Sequence, residues 1–449
     1  MSYASAVEQL YELGHELART PSHKFDLAHM RVLLDALGNP QQQFRSALIA
    51  GTNGKGSTAA TLASILCAAG HKTALYTSPH LVRVNERIRV NGQEASDTDF
   101  AAVYEIAEAE SRKLMADGRL PWHPSFFEML TAMAFLHFAQ VGVEVAVLEV
   151  GMGGRLDATN VVEPTVAVIT DISLDHQKFL GHTIAEIAQE KAGIIHENGL
   201  VVTLPQHPAA NEAIGNAVLR RHARVVSAVQ YVPPVSPDAR AVWAQSSRNR
   251  YPLSVMGREI VVDSPLVGRH QLRNLALAIA TAEQLNDAGI TVTAEAVEQG
   301  IRETRWLGRF QIIPPSGGFP EIVLDVAHNP DGAWALRSAL SERYEGRHIT
   351  LLFAVLRDKA IGEITQVLFP LANHVVATKV DNPRSSAPKE IAEAAQRTGA
   401  EIIQAADFAE AADRALRITP KDGVLVITGS IYLVGEAMQW LEKQDRVKL

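Results

Sequence analysis

Cysteine is almost missing: Cys67 is the single one in 449 residues. No intrachain disulfide can form, so a buried apolar core must hold the fold, and a reducing compartment, the cytoplasm, is the expected location. Cys67 falls in an apolar stretch and reads as core rather than as a nucleophile. No apolar run reaches the roughly 18 residues of a membrane span. Met1-Ser2-Tyr3-Ala4-Ser5 has neither the basic flank nor the apolar run of a signal peptide, so no membrane partner is expected. Basic charge is scarce too. Lys and Arg number 42 against 50 Asp and Glu, a formal net charge of −8, which argues against a nucleic-acid footprint. What is abundant is apolar residues, 47% of a chain too long for one core, and two domains are expected.

The stretch around which the chain is organised is Gly51-Thr52-Asn53-Gly54-Lys55-Gly56-Ser57. Apolar Ser46–Ala50 precedes it, and Thr58–Ala69, rich in Ala, Leu and Thr, follows as far as Gly70. This reads as buried strand, glycine turn and helix, with Gly70 as the C-terminal cap. Glycines let the backbone approach phosphates, N–H groups converge on them, and Lys55 and the helix dipole add positive charge. A strict phosphate-loop pattern wants Gly where Ile49 stands and Ser or Thr where Gly56 stands; here the hydroxyl follows at Ser57. A bare turn would need neither three glycines nor the lysine, so nucleotide phosphate is the expected ligand.

Residues 1–42 read as helical around a polar break, Thr20–Asp26. Lys72–Ser78 reads as a strand, Ser125-Phe126-Phe127-Glu128 as a capping box opening a helix to about Gln140, and Val143–Val150 as a strand covered on both faces. Further strands are read at Pro164–Thr170, Leu200–Leu204 and Ala223–Val229. After Thr304–Phe310 strands and helices alternate afresh, which gives a second doubly wound α/β domain of about 140 residues. In open α/β sheets ligands sit beyond the carboxyl ends of the strands, and Ser78, Glu149, Asp171 and His176 all fall there. A carboxylate directly after an apolar strand, paired with a glycine loop, suits a magnesium nucleotide.

These motifs resemble the Mur ligase superfamily and, within it, the branch that adds glutamate to pteroates and folates. The residues that carry the resemblance are Gly51–Ser57, Thr77–Leu81, Glu149–Asn160, Ser173–His176, Glu190–Ile194, Gly308–Phe310 and Asp325–Pro330. Gly56 between Lys55 and Ser57 is the family form of the loop. The fold implied is a P-loop, Mur-ligase-like N-terminal domain with a mostly parallel sheet, residues 1–307, followed by a smaller Rossmann-like α/β domain, residues 308–449. The activity implied is an ATP-dependent amide ligase, in which a carboxylate attacks the γ-phosphate and L-glutamate then displaces phosphate from the acyl phosphate. The implied acceptors are dihydropteroate and reduced folates, and a monomer is the expectation.

By the same resemblance Gly54, Lys55, Gly56 and Ser57 cradle the phosphates, and Asn274, Arg309 and Asp325 add ATP contacts. Ser78, Glu149 and His176 hold magnesium, two ions in all; Lys55, Lys191 and His176 are the catalytic set. The pterin falls to Ser125, Phe126, Phe127, Glu128, Leu156, Asp157 and Ala158, and to Asp26, Leu27 and Ala28, although the family usually has glycine where Ala28 stands. The alternative role for Asp157 is to brace its own loop. Acyl-phosphate formation presses a carboxylate against a polyphosphate, so cations between them are required. Closing one α/β domain on another would keep water from the intermediate. Lys191 shares an apolar helical stripe with Ile184, Ile187, Ala188, Ile194 and Ile195. A lysine there must snorkel, pair with an acid such as Glu190, or lose its charge. The resemblance implies the last, with CO₂ added as a carbamate that helps hold magnesium. A transport or regulatory ATPase would share the loop without Asp325–Pro330. A peptidoglycan-precursor ligase, the nearest alternative, usually has a UDP-sugar domain before the loop, where only 50 residues stand.

Overall fold

The computed structural model describes residues 1–14, 27–234 and 247–447. They form two compact units, one built on Met1–Val232 with Pro252–Val262 and Arg273–Thr304, the other on Arg305–Leu449 with Pro233–Tyr251 and Asp263–Leu272. The first unit carries an eight-stranded sheet of β1 (Arg45–Ala50), β2 (Thr73–Tyr76), β3 (Ile88–Val90), β4 (Gln93–Glu94), β5 (Val145–Glu149), β6 (Val166–Ile169), β7 (Leu200–Thr203) and β8 (Arg224–Ser227). Their order is β4-β3-β2-β5-β1-β6-β7-β8. From β2 to β8 every pairing is parallel, with Leu48 of β1 level with Leu148 of β5 and Ala167 of β6. Strands β1, β5 and β6 are buried almost throughout, because helices cover both faces of a parallel sheet, and their largely apolar sequences follow from that.

The stretch around 82–90, which shows no clear period in sequence, contains β3, antiparallel to β2. It turns back into β4 through Asn91 and Gly92 at φ of 48° and 76°, the left-handed pair that a tight hairpin requires. The helix after the glycine loop, Lys55–Ala68, and the helix Phe126–Gln140 are buried nearly all round, so neither has a polar face. Gly70, at φ of 89°, ends the first of them and donates to the carbonyl of Cys67 at 3.0 Å.

A two-stranded sheet pairs β9 (Asn249–Val255) with β10 (Arg258–Ser264). The second unit has its own sheet of β11 (Gln311–Ile313), β12 (Glu321–Asp325), β13 (Ile349–Phe353), β14 (His374–Ala377), β15 (Ile402–Gln404) and β16 (Val424–Thr428), in the order β11-β12-β16-β13-β14-β15. Only β11 runs antiparallel, so this is a mostly parallel α/β sheet with its own apolar core around Phe353, Leu351 and Val426. Among the described residues no helix is long and apolar enough to cross a membrane.

Candidate active site

Four adjacent strands, β2, β5, β1 and β6, bring the predicted residues into one row. Ser78 follows β2, Glu149 ends β5, Gly51 follows β1 and Asp171 follows β6. The glycines of the loop are needed for space as much as for conformation. At Gly51 (φ 154°) a Cβ would stand 1.8 Å from Thr170 Oγ1, and at Gly54 (φ 90°) 2.2 Å from Asn274 Oδ1. Asn274, predicted from a distant helix, therefore lies directly against the loop. Thr58 is the first residue whose N–H finds an intrahelical partner, the Gly54 carbonyl at 2.9 Å. Helix geometry leaves the N–H groups of Lys55, Gly56 and Ser57 as the donors an anion would meet.

Two lysines converge on one oxygen. Lys55 Nζ donates to the carbonyls of Gly51 (3.1 Å) and Thr52 (3.2 Å), and Lys191 Nζ donates to the same Gly51 carbonyl at 2.8 Å. Lys191 does not snorkel: it is only 4% exposed at the end of the helix Ile184–Lys191, which opens with a Thr183–Glu186 capping box. Burial, aided by the charge of Lys55, pulls its pKa from 10.5 down to about 7 against the opposing pull of Asp175 and Asp157. Glu190 pairs instead with Arg155, at 3.0 Å.

Glu149 is 5% exposed, and its Oε2 accepts the N–H of Ser78 at 3.2 Å. His176, at φ of 49°, precedes a short helix, with its Nε2 3.8 Å from Asp175 Oδ2. Among the described residues no three His, Cys, Asp or Glu side chains are grouped as a protein-only metal cage would need. Magnesium is bound through one or two carboxylates plus substrate phosphates and water. A buried carboxylate next to a hydroxyl residue, beside a phosphate loop, fits that requirement.

The pterin candidates split. Asp26 lies outside the described residues, while Leu27 and Ala28 open the helix Leu27–Ala36. Ser125 and Glu128 form the predicted capping box, with Glu128 Oε2 accepting from Ser125 N and Oγ at 2.7 Å each. The other oxygen of Glu128 faces His29 Nδ1 at 3.3 Å, which ties the two helices together; His29 was invisible in sequence because its partner is 99 residues away. Phe126 is buried and stacks on Tyr11, ring centres 5.5 Å apart, whereas half-buried Phe127 lies over Gly151, where a Cβ would come within 2.5 Å of its ring. Leu156 is half-buried and Ala158 buried. The carboxylate of Asp157 is used within its own loop. It accepts from Met152 N (2.9 Å), Thr159 N (3.0 Å) and Thr159 Oγ1 (2.6 Å), yet burial outweighs these bonds and raises its pKa.

In the second unit Asp325 ends β12, buried, and accepts from Phe310 N (2.8 Å) and Ala327 N (2.9 Å). Burial raises its pKa against the charge of Arg309 and these two bonds. Arg309 and Asp325 are thus neighbours, although 16 positions apart in sequence, because the turn before β11 folds back on the end of β12.

Comparison with known proteins gives this arrangement its kinship. Residues 49–282 match the Mur ligase middle domain, and residues 308–431 the Mur ligase glutamate ligase domain. A dihydrofolate synthase/folylpolyglutamate synthase of Bacillus subtilis is 34% identical over 422 residues, 93% of this chain and 95% of that protein. The folylpolyglutamate synthase of Mycobacterium tuberculosis complexed with ADP superposes with a TM-score of 0.84 at 32% identity, covering 98% of each chain. The Escherichia coli protein FolC, in complex with DHPP and ADP, does so with a TM-score of 0.84 at 28% identity over 99% of each chain. From its sequence motifs, its two α/β units and this likeness along almost its whole length, the chain belongs to the Mur ligase family, among the dihydrofolate synthase/folylpolyglutamate synthases.

Proposed function

We propose that the protein is an ATP-dependent ligase that joins L-glutamate to dihydropteroate, giving dihydrofolate, and to reduced folates, giving folylpolyglutamates. The observation that carries this reading is the convergence at Gly51: a glycine loop opening a helix, Lys55 and Lys191 on one carbonyl, and buried Glu149 one strand away. The acceptor carboxylate oxygen attacks the γ-phosphorus of ATP, the bond to the bridging oxygen breaks, and ADP leaves. The amine of glutamate then attacks the acyl carbon of the acyl phosphate, the carbon–oxygen bond breaks, phosphate leaves and the amine gives up its proton.

The N–H groups of Gly54, Lys55, Gly56 and Ser57 would take the phosphate oxygens, with Lys55 Nζ exchanging two backbone carbonyls for them. Asn274, Arg309 and Asp325 would hold the rest of the nucleotide, the last two from a ligase domain of residues 308–449 that follows a nucleotide- and pterin-binding domain of residues 1–307. Ser78, Glu149 and His176 would hold two Mg²⁺ ions, which when bound screen the polyphosphate from the incoming carboxylate. Lys191, buried and with much of its amine neutral near pH 7, suits addition of its Nζ to CO₂ with release of a proton, which would give the carbamate oxygens that assist the metal. Phe127, Leu156 and Ala158 would meet the pterin, as would Asp26, Leu27 and Ala28, with Ser125, Phe126, Glu128 and Asp157 fixing the positions of the first three. The protein would act as a cytoplasmic monomer without nucleic-acid or membrane partners.

The test is phosphate release by the purified protein with ATP, comparing dihydropteroate and a reduced folate, each with and without glutamate. Turnover that needs both acceptor and glutamate is expected. ATP hydrolysis indifferent to both would overturn the reading.

A further inference from the structure

The phosphate loop does not stand on its own glycines alone. The carbonyl of Asp171 accepts the N–H groups of both Thr52 (2.8 Å) and Asn53 (3.2 Å), an isolated bridge between the loop and the end of β6. Two residues on, Ser173 closes the same contact. Its N–H reaches Thr52 Oγ1 at 3.1 Å, its carbonyl accepts from that hydroxyl at 3.1 Å, and its Oγ accepts from Asn53 Nδ2 at 3.1 Å. The first two N–H groups after Gly51 are therefore committed to protein, and the loop's anion-binding donors begin at Gly54. Where those donors point depends on where Asp171 is.

The Asp171 carboxylate is held by Arg273 of the helix Arg269–Asp287. Arg273 Nε lies 3.1 and 2.9 Å from its two carboxylate oxygens and Nη2 lies 2.5 Å from Oδ1, while Nη2 also donates to the carbonyl of Pro205 at 3.0 Å. A planar guanidinium in this forked contact fixes direction as well as distance, which a lysine could not do. The next residue, Asn274, is the one whose Oδ1 fills the space above Gly54. One step of helix thus bears on both flanks of the loop: Arg273 through Asp171 on the Thr52–Asn53 side, Asn274 directly on the Gly54 side.

We propose that Asp171 and Arg273 are a positioning pair for the nucleotide, setting the phosphate loop's N–H donors in register without touching ATP. The inference rests on the reading of Gly51–Ser57 as the nucleotide site and adds residues that this reading does not use. It separates the pair from a surface ion pair, which would contribute little to stability and nothing to binding.

The experiment measures ADP binding by calorimetry and KM for ATP and for dihydropteroate in Arg273→Gln, Asp171→Asn and the double variant, with melting temperatures alongside. Each single change is expected to weaken ADP binding and raise KM for ATP by about tenfold, with KM for dihydropteroate moving less than about twofold. The double variant should be no worse than the weaker-binding single, because the two act as one unit. Arg273→Lys, which keeps charge and loses the fork, should fall between wild type and Arg273→Gln; it also serves if the glutamine variant does not fold. Lower melting temperatures with unchanged nucleotide affinity, or singles whose effects multiply in the double, would overturn the proposal. Lys55→Ala separates the two levels. If it loses ADP binding while Arg273→Gln does not, only the positioning pair fails; if neither does, the nucleotide-site reading fails.

Discussion

Asp157→Ala asks how much of the loop after β5 hangs on one buried carboxylate. The side chain accepts three hydrogen bonds, from Met152 N, Thr159 N and Thr159 Oγ1, at a position only 7% exposed. Alanine strands all three donors. A hydrogen bond to a charged group contributes about 1.5–3 kcal/mol, but the three share one carboxylate and are not additive. Desolvation, which raises the carboxyl's pKa despite these bonds, offsets part of the gain. A net loss of about 2–4 kcal/mol in unfolding free energy is expected. Asp157→Asn keeps an oxygen for Thr159 but turns an amide towards the Met152 N–H, and should lose about half as much. Urea unfolding at pH 7 measures both variants, alongside phosphate release with dihydropteroate and with a reduced folate. If the carboxylate is a brace, activity on both acceptors falls together and tracks stability. Unfolding of Asp157→Ala within about 0.5 kcal/mol of wild type would refute the brace. So would selective loss of dihydropteroate turnover in a variant of wild-type stability, and that result would make Asp157 a direct pterin contact.

Lys55→Ala should lower turnover by about 10³-fold while leaving the melting temperature near that of the wild type, since among the described residues Nζ bonds only carbonyls of its own loop; equal turnover with normal ATP affinity would count against the loop as a phosphate site. Lys191→Ala should be nearly inactive, with partial rescue by acetate, and ¹³C-bicarbonate should give a carbamate signal in the wild type that the variant lacks; a free amine in active enzyme under bicarbonate, without acid treatment, would refute the carbamate. His123→Gln probes a pH window. His123 Nε2 meets Glu108 Oε2 at 2.8 Å and Nδ1 meets the Pro124 carbonyl at 2.9 Å. Burial opposes the charged ring, but these bonds prevail and raise its pKa above the ordinary 6.5, while the hydrogen bond from His123 chiefly holds Glu108 below 4.5. The histidine's contribution is full below 6.5 and fades as pH rises through the raised value; the glutamate's is full above 4.5 and fades as pH falls through the lowered one. Wild type should therefore exceed the variant by about 1 kcal/mol near pH 5.5 and by little at pH 9, and a pH-independent difference would refute the pairing.

Much of the framework was legible because it is local. A strand covered on both faces is written as a largely apolar run, and β1, β5 and β6 were readable for that reason. The capping boxes at Ser125 and Thr183 are four-residue patterns, and both form. Strands β3 and β4 were not read from the sequence, because two short strands of mixed polarity at the end of the sheet carry no period. Resemblance to a known family named site residues that no local pattern could, Asn274 and Asp325 among them.

The sequence by itself determined the elements, the glycine loop, the lysine placed in an apolar stripe and the family. Each depends on residues within a turn or two of one another, or on motifs shared with relatives. Tertiary structure alone decided who meets whom. The order β2-β5-β1-β6 puts Ser78, Glu149, Gly51 and Asp171 in one row, although up to 120 residues separate neighbours in the chain. Burial among these strand ends lowers the pKa of Lys191, three donors of its own loop surround the Asp157 carboxylate, and a helix more than 200 residues beyond the loop supplies Arg273 and Asn274. Desolvation and hydrogen-bond geometry belong to the surroundings of a side chain, and those surroundings exist only once the sheet has assembled.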